Sequence, residues 1–336
     1  MKILRPLRLL LLGALLTLLG LEGLLRLLPV STATRVDYHV APTILTYPPH
    51  LDFTVATGWD LKNARHLRSN NYGFVDTQDF VPNPQAIAVI GDSFVEANML
   101  APDDRIGPAL SRALGGAAVY SMGGPGSSLL DYAERARLAA SRFGIQRFVF
   151  VLELGDVQQA LCGSGNHHGP CIDPKSGALT PYARPSATGL KTWARHSALA
   201  QYVFSQLKFS PARLWQSLRP AIAAGHVQKT MPQALTRSIL TRFFDGLPAT
   251  AHPPVVLIDG PRGRDGAETD RQLAQMAELR AMAEAAGVRV IDLAPHFAAW
   301  RAASPLSLEV GPYDGHWNPL GHRIAAEAAA EAMRAP

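Results

Sequence analysis

The hydrophobic pattern of the chain changes character along its length. Residues 9–21, LLLLGALLTLLGL, are apolar on every side, unlike the one-sided stripe of a surface helix. Counting on through Glu22 and Arg26 to Val30 gives enough helix to cross a bilayer, and Glu22 and Arg26 are spaced to pair on one face. Residues 31–85 are rich in Pro, Thr and Asn with little periodicity, which predicts an extended lead-in. From residue 86, short apolar runs alternate with amphipathic stretches. AIAVI (86–90), AAVYSMG (117–123), RFVFVLEL (147–154), PPVVLIDG (253–260) and VRVIDL (288–293) read as strands. DDRIGPALSRALGG (103–116), SSLLDYAERARLAASRFG (127–144), DRQLAQMAELRAMAEAAG (270–287) and NPLGHRIAAEAAAEAM (318–333) read as helices. Strands and helices in alternation predict an α/β fold, a three-layer α/β/α sandwich with a mainly parallel central sheet. The stretch at about 157–248 interrupts the alternation and is expected as a helical insertion or lid. The expected organisation is residues 1–30 as a transmembrane anchor or uncleaved signal, 31–85 as lead-in and 86–336 as the main domain.

Charge sharpens the picture at the N-terminus. Lys2, Arg5 and Arg8 precede the leucine run, and Ser31 and Ala33 give only a weak cleavage pattern. A retained single-pass helix in the inner membrane is therefore expected. The positive-inside rule then leaves the remainder facing the periplasm or extracellular side. The chain is 336 residues long, 47% hydrophobic and 18% charged, enough for a sizeable core. Its 32 basic and 27 acidic residues give a net charge of +5. No dense basic block is interleaved with aromatics, so nucleic acid is not an expected partner.

In an open parallel sheet, ligands sit outside the carboxyl ends of the strands. Ser93 directly follows the first strand, in IAVIGDSFVE. A serine hydroxyl needs an imidazole within hydrogen-bond reach, itself oriented by a carboxylate. YDGHWNPLGH supplies Asp314 and His316 just before the last helix, with Asn318 as N-cap and Pro319 at the first helical position. Taken alone, Gly91, Asp92 and Ser93 read more readily as a strand-to-helix turn with Asp and Ser capping than as a catalytic motif. His322 reads as a structural hydrogen-bonding residue. Cys162 and Cys171, nine positions apart in an exported chain, are most simply a disulfide. The competing reading makes them zinc donors with His167 and His168, although the spacing matches no zinc pattern.

GDSF at 91–94 together with DGHWNPLGH at 314–322 resembles the SGNH hydrolases, or GDSL esterase/lipase family, of the membrane-anchored bacterial type. The likeness covers about residues 86–332 and implies an SGNH or flavodoxin-like sheet. It implies Ser93 as nucleophile, His316 as general base and Asp314 as the residue that orients the imidazole. The Asp-x-His spacing resembles anchored members and the alginate O-acetyltransferase branch. The resemblance also implies oxyanion donors from the Ser93 N–H, from Gly126 (or Gly123 or Gly124), and from an Asn side chain after the third strand. The chain carries Gly155 where that Asn is expected, leaving the Gly155 N–H, Asn98, Asn166 or a water to fill the place. The expected function is hydrolysis, through an acyl-serine, of an O-acyl or O-acetyl ester of a carbohydrate or lipid in the cell envelope. No metal and no organic cofactor are expected. The alternatives are an O-acyltransferase acting on a surface polysaccharide and a non-catalytic envelope binding protein.

Overall fold

A strand buried on both faces is apolar at every position, and Ile87–Gly91 (β1) is such a strand, with all five residues shielded from solvent. In the computed structural model it lies inside a five-stranded sheet. The others are Val119–Gly123 (β2), Arg147–Leu152 (β3), Val255–Ile258 (β4) and Arg289–Asp292 (β5), in the order β5-β4-β3-β1-β2. Every neighbouring pair is parallel. Strand β1 pairs Ile87 with Val119 of β2 and with Arg147 of β3. The order reverses between β1 and β3, which makes their carboxyl ends the switch point where such sheets bind ligands. The structure describes residues 4–153, 155–164, 169–181, 189–207, 231–260, 270–311 and 314–335.

Alternation along the strands sends side chains to two helical layers. Ala88, Ile90, Phe148, Phe150, Val256 and Ile258 pack against Leu129–Phe143 (α3), Gln233–Asp245 (α4) and Asp270–Ala285 (α5). Ile87, Val89, Val149, Val151, Val255 and Leu257 face Ile106–Ala113 (α2), Ala294–Ala303 (α6) and Pro319–Arg334 (α7). The label α1 belongs to the short turn Ser93–Glu96. Helix α3 opens on a capping box between Ser128 and Asp131. Helix α7 opens on Asn318, whose side chain accepts from the N–H groups of Leu320 and Gly321 at 3.0 and 3.1 Å.

The sandwich belongs to one of two compact units, formed by Val36–Leu51, Arg68–Arg184 and Thr230–Pro336. The other contains Met1–Arg35, Asp52–Leu67 and Pro185–Lys229. Within that second unit the helix Leu4–Arg26 exposes its leucines from Leu7 to Leu24 and buries Leu25, and its Pro6–Arg26 portion is long and apolar enough to cross a membrane. Arg26 Nε donates to Glu22 at 2.7 Å, and Glu22 also accepts from Ser197 Oγ and the N–H groups of Ala198 and Leu199.

Two segments differ from the sequence expectation. The lead-in is not featureless: Asp37–Ala41 pairs with Ile44–Thr46, and Asp52–Thr57 with Lys62–Arg68, as two small sheets. Nor is the whole of 157–248 a lid. Ile239, Leu240 and Phe243 of α4 are fully buried in the sheet's own helical layer, because that face needs a third helix between α3 and α5 to cover β3 and β4. The segment Ala198–Ala200 begins a helical turn that continues as a π-helix over Gln201–Gln206.

Candidate active site

The turn after β1 is shaped by two close approaches. A Cβ at Gly91 would stand 2.6 Å from Val95 Cγ2 and 3.0 Å from the Val151 carbonyl. One at Gly123 would stand 2.2 Å from the Glu96 nitrogen. Glycine at the ends of β1 and β2 therefore lets α1 fold tightly onto the sheet edge. Asp92 caps that turn, its Oδ1 accepting from the Phe94 N–H at 2.9 Å. Ala97 closes it in the left-handed region at φ 42°, which costs a non-glycine residue about 1–2 kcal/mol.

This geometry delivers the Ser93 hydroxyl to the carboxyl edge of the sheet. Ser93 Oγ lies 2.8 Å from His316 Nε2, and His316 Nδ1 lies 2.5 Å from Asp314 Oδ1. The same Asp314 oxygen accepts the His316 backbone N–H at 2.9 Å. Serine, histidine and aspartate thus form one hydrogen-bonded line, although 223 residues separate the first two. The His316 ring stands on Phe94 with centroids 4.7 Å apart. The next residue, Trp317, is fully buried against Phe94 and Phe297 and donates its indole N–H to Asp259 at 2.9 Å. The imidazole is held from its ring face and by the anchored chain beside it.

Burial works to lower the His316 pKa, but the hydrogen bond that its ring donates to Asp314 and the charges of Asp314, Asp92 and Glu153 outweigh it and raise it above the ordinary value. A general base must be neutral. On the serine-base assignment, kcat/KM should fall tenfold per unit as pH drops below a pKa above 6.5, and level off above it. A pH–rate profile measures this; a limb centred well below 6.5 would contradict it. The stabilising contribution has the opposite direction. It is complete below the unfolded histidine value and lost as pH rises through the folded one.

Around the line lies a buried polar layer that the motif alone does not announce. Arg135 of α3 donates to the Gly91 carbonyl at 2.7 Å, the Met122 carbonyl at 3.3 Å and Ser127 Oγ at 2.5 Å. Burial pushes Glu96 up to about 7, against a hydrogen bond with Tyr47 and the charges of Arg105, Arg135 and His316. Asp156 accepts from Tyr132 Oη at 3.1 Å and the Glu153 N–H at 2.9 Å. Burial, then the charge of Asp92, holds its carboxyl well above the usual range. Asp92 is itself raised by burial, against its hydrogen bonds and the His316 charge. The one sequence hint of this layer was Asp131 and Arg135, two charged residues within the apolar stripe of α3. His322 is fully buried against Trp317, with neither ring nitrogen partnered among the described residues. Burial, with the charges of Arg105 and His316, takes it down to about 3, so it is a neutral packing residue and not the hydrogen-bonding one that its position suggested.

The remaining sequence candidates sort as follows. The Gly124 N–H is committed to the Gly91 carbonyl at 3.3 Å, whereas the Gly126 N–H has no partner among the described residues. Gly126 is itself left-handed at φ 65°. Gly155 is exposed at the start of the short helix Gly155–Gln159 after β3. Asn98 spends its amide on Glu96 Oε2 at 3.1 Å. Asn166, His167 and His168 lie outside the described residues. Cys162 and Cys171 are joined as a disulfide, which leaves no thiolate for the zinc alternative.

No family model matches the sequence, and no curated protein does. Among solved structures, the chain is similar to an α/β hydrolase enzyme from the metagenome of Lake Arreo, Spain, at 14% identity and TM-score 0.42, covering 76% of this chain and 99% of that one. It is similar to a member of the lipolytic G-D-S-L family from Veillonella parvula at 13% identity and TM-score 0.37, covering 73% and 96%. It is also similar to a lipase/acylhydrolase from Enterococcus faecalis at 12% identity and TM-score 0.40, covering 74% and 94%.

Proposed function

We propose that the protein is a serine ester hydrolase of the SGNH type that works through an acyl-serine. The observation that carries this reading is the unbroken line Ser93 Oγ, His316 Nε2, His316 Nδ1, Asp314 Oδ1, at 2.8 and 2.5 Å. His316 takes the Ser93 proton as Oγ bonds to the acyl carbon, and the carbonyl electron pair moves onto oxygen. Collapse breaks the bond to the alkoxide, which leaves with the proton from His316. Water then repeats the sequence on the acyl-serine. Asp314 holds the ring in the tautomer that leaves Nε2 free to accept, and stabilises the imidazolium.

The N-terminal helix supports a reading of the substrate class. The 23-residue helix Leu4–Arg26 is about 35 Å long and exposes its leucines from Leu7 to Leu24, and Lys2, Arg5 and Arg8 mark its cytoplasmic end. The hydrolase unit then faces the periplasm or extracellular side as part of an inner-membrane protein. Its substrates are O-acyl esters of envelope carbohydrates or lipids, O-acetyl among them.

The test is turnover of p-nitrophenyl esters of increasing acyl length by the full chain in detergent, with and without a glycan acceptor. Release of p-nitrophenol with free acid as the acyl product is expected. An acylated glycan would assign transfer instead, and no turnover by folded protein would support the non-catalytic binding alternative.

A further inference from the structure

An anchor needs only its helix, yet a further segment packs along Leu4–Arg26 within the second unit. In residues 198–207 the apolar and polar side chains separate. Leu199, Val203 and Leu207 recur every four residues, with Ala200 and Phe204 beside them, as one apolar stripe. Polar side chains between them are tied elsewhere. Tyr202 Oη donates to the Trp59 carbonyl at 2.6 Å, and Gln206 accepts from the Ser31 N–H at 3.1 Å and donates to the Gly58 carbonyl at 2.8 Å. The start of the segment is closed by the helix Leu4–Arg26 itself: Glu22 accepts from Ser197 Oγ at 2.8 Å and from the Ala198 and Leu199 N–H groups at 3.1 and 3.0 Å. Donors at a helix start otherwise turn to water. Here a carboxylate meets two of them, as an apolar surrounding requires.

Between the segment and the helix runs a groove of about 710 Å³, walled by Leu15, Leu18 and Leu19 on one side and by Leu199, Val203 and Phe204 on the other. Leu15 lies about 16 Å down the helix from Arg26 at 1.5 Å per residue, the depth of one leaflet of a ~30 Å hydrocarbon core. Both walls also face outward: the three leucines of the helix are exposed, Phe204 is 58% exposed, and Leu207 at the end of the stripe is 42% exposed. Arg26, its side chain 61% exposed, stands at the outer end of the groove, a cation at the level where the phosphate of a lipid in that leaflet lies.

We propose that residues 198–207 lie in the outer leaflet beside the membrane helix, with phospholipid acyl chains filling the groove and covering the apolar stripe. This rests on reading Leu4–Arg26 as a membrane span. The shared wall names the occupant, since whatever covers Leu15, Leu18 and Leu19 also meets Phe204. The chain is then seated at two points: one helix crosses the bilayer, and one short amphipathic segment lies in its outer face, with its polar side held by Ser31, Gly58 and Trp59.

Cys162 and Cys171 are joined and leave no free thiol, so an introduced cysteine carries a fluorophore at one known place. Phe204→Cys, Leu207→Cys, Leu12→Cys and Ala302→Cys are labelled with an environment-sensitive dye, and each full chain is reconstituted into vesicles of phosphatidylethanolamine and phosphatidylglycerol, with and without a nitroxide on the lipid acyl chain. Leu12 lies in the membrane helix, and Ala302 is exposed on α6 of the other unit. Thermal unfolding close to the parent certifies each chain, and the two stripe positions cover for one another if either change disturbs the fold. Labels at 204 and 207 are expected to shift to the blue, to resist aqueous iodide, and to lose at least about half as much emission to the nitroxide as the label at 12, as a place within one leaflet requires. The label at 302 should show the reverse. If 204 and 207 behave like 302 while 12 is quenched by lipid, the proposal is overturned and the anchor stands. Labels at 204 and 207 shielded from both quenchers mean that protein covers the stripe, which overturns it equally. If the label at 12 also escapes the nitroxide, it is the membrane-span reading that fails, and this proposal with it.

Discussion

Ser93→Ala is expected to lower kcat by about 10⁴–10⁶-fold, the largest effect of any single substitution in this chain. The hydroxyl is the group in the hydrogen-bonded line that has a base beside it to take its proton, and without it His316 is left to activate water. His316→Ala should cost nearly as much, since the hydroxyl at its free pKa is a weak nucleophile. The pair acts as a unit, so Ser93→Ala/His316→Ala should be no slower than the worse single variant. Multiplied losses in the double variant would mean that the two side chains act independently, contrary to their 2.8 Å contact. Thermal unfolding of Ser93→Ala should stay close to the parent, because a half-buried hydroxyl is lost without opening a cavity.

Arg135→Ala is expected to be the most damaging substitution to stability, at about 3–5 kcal/mol. The guanidinium is 1% exposed, and burial lowers its pKa against the charges of Asp131, Tyr132, Asp92 and Glu96. It donates to the Gly91 carbonyl at the end of β1, to the Met122 carbonyl one residue before the end of β2, and to Ser127 Oγ. Removing it strips donors from the carboxyl ends of two strands and takes one of the cations from the buried carboxyls around it, which costs more than the lost contacts alone. Arg135→Lys keeps the charge but has no planar fork for separated acceptors, and should recover only part of the loss. Denaturant unfolding of the detergent-solubilised chain reads both. A loss below about 1 kcal/mol for Arg135→Ala would show that the layer is not held by this residue.

The fold was legible where strands are buried on both faces. AIAVI, RFVFVLEL and PPVVLIDG need no alternation to be read as central strands, and each lies in the sheet within two residues of its expected ends. Residues 31–85 were not legible as structure. Strands of three to seven residues, one buried throughout and the others of mixed exposure, carry too short a pattern to rise above their Pro and Thr content. Helix α4 was visible as a helix, but its layer was not, because an apolar stripe does not say what it packs on. In the site, Ser93, Asp314 and His316 stood out through motif and position after a strand. Glu96, Asp92 and Asp156 did not, since their character comes from burial, which only the assembled sheet creates.

The central claim is that Ser93 is a nucleophile made reactive by His316. Intact-mass and peptide analysis after exposure of the folded full chain to a fluorophosphonate measures this most directly. The expected result is one adduct per chain, located on Ser93, and greatly slowed in His316→Ala. An unlabelled Ser93 in folded protein, or equal labelling in Ser93→Ala, would contradict it.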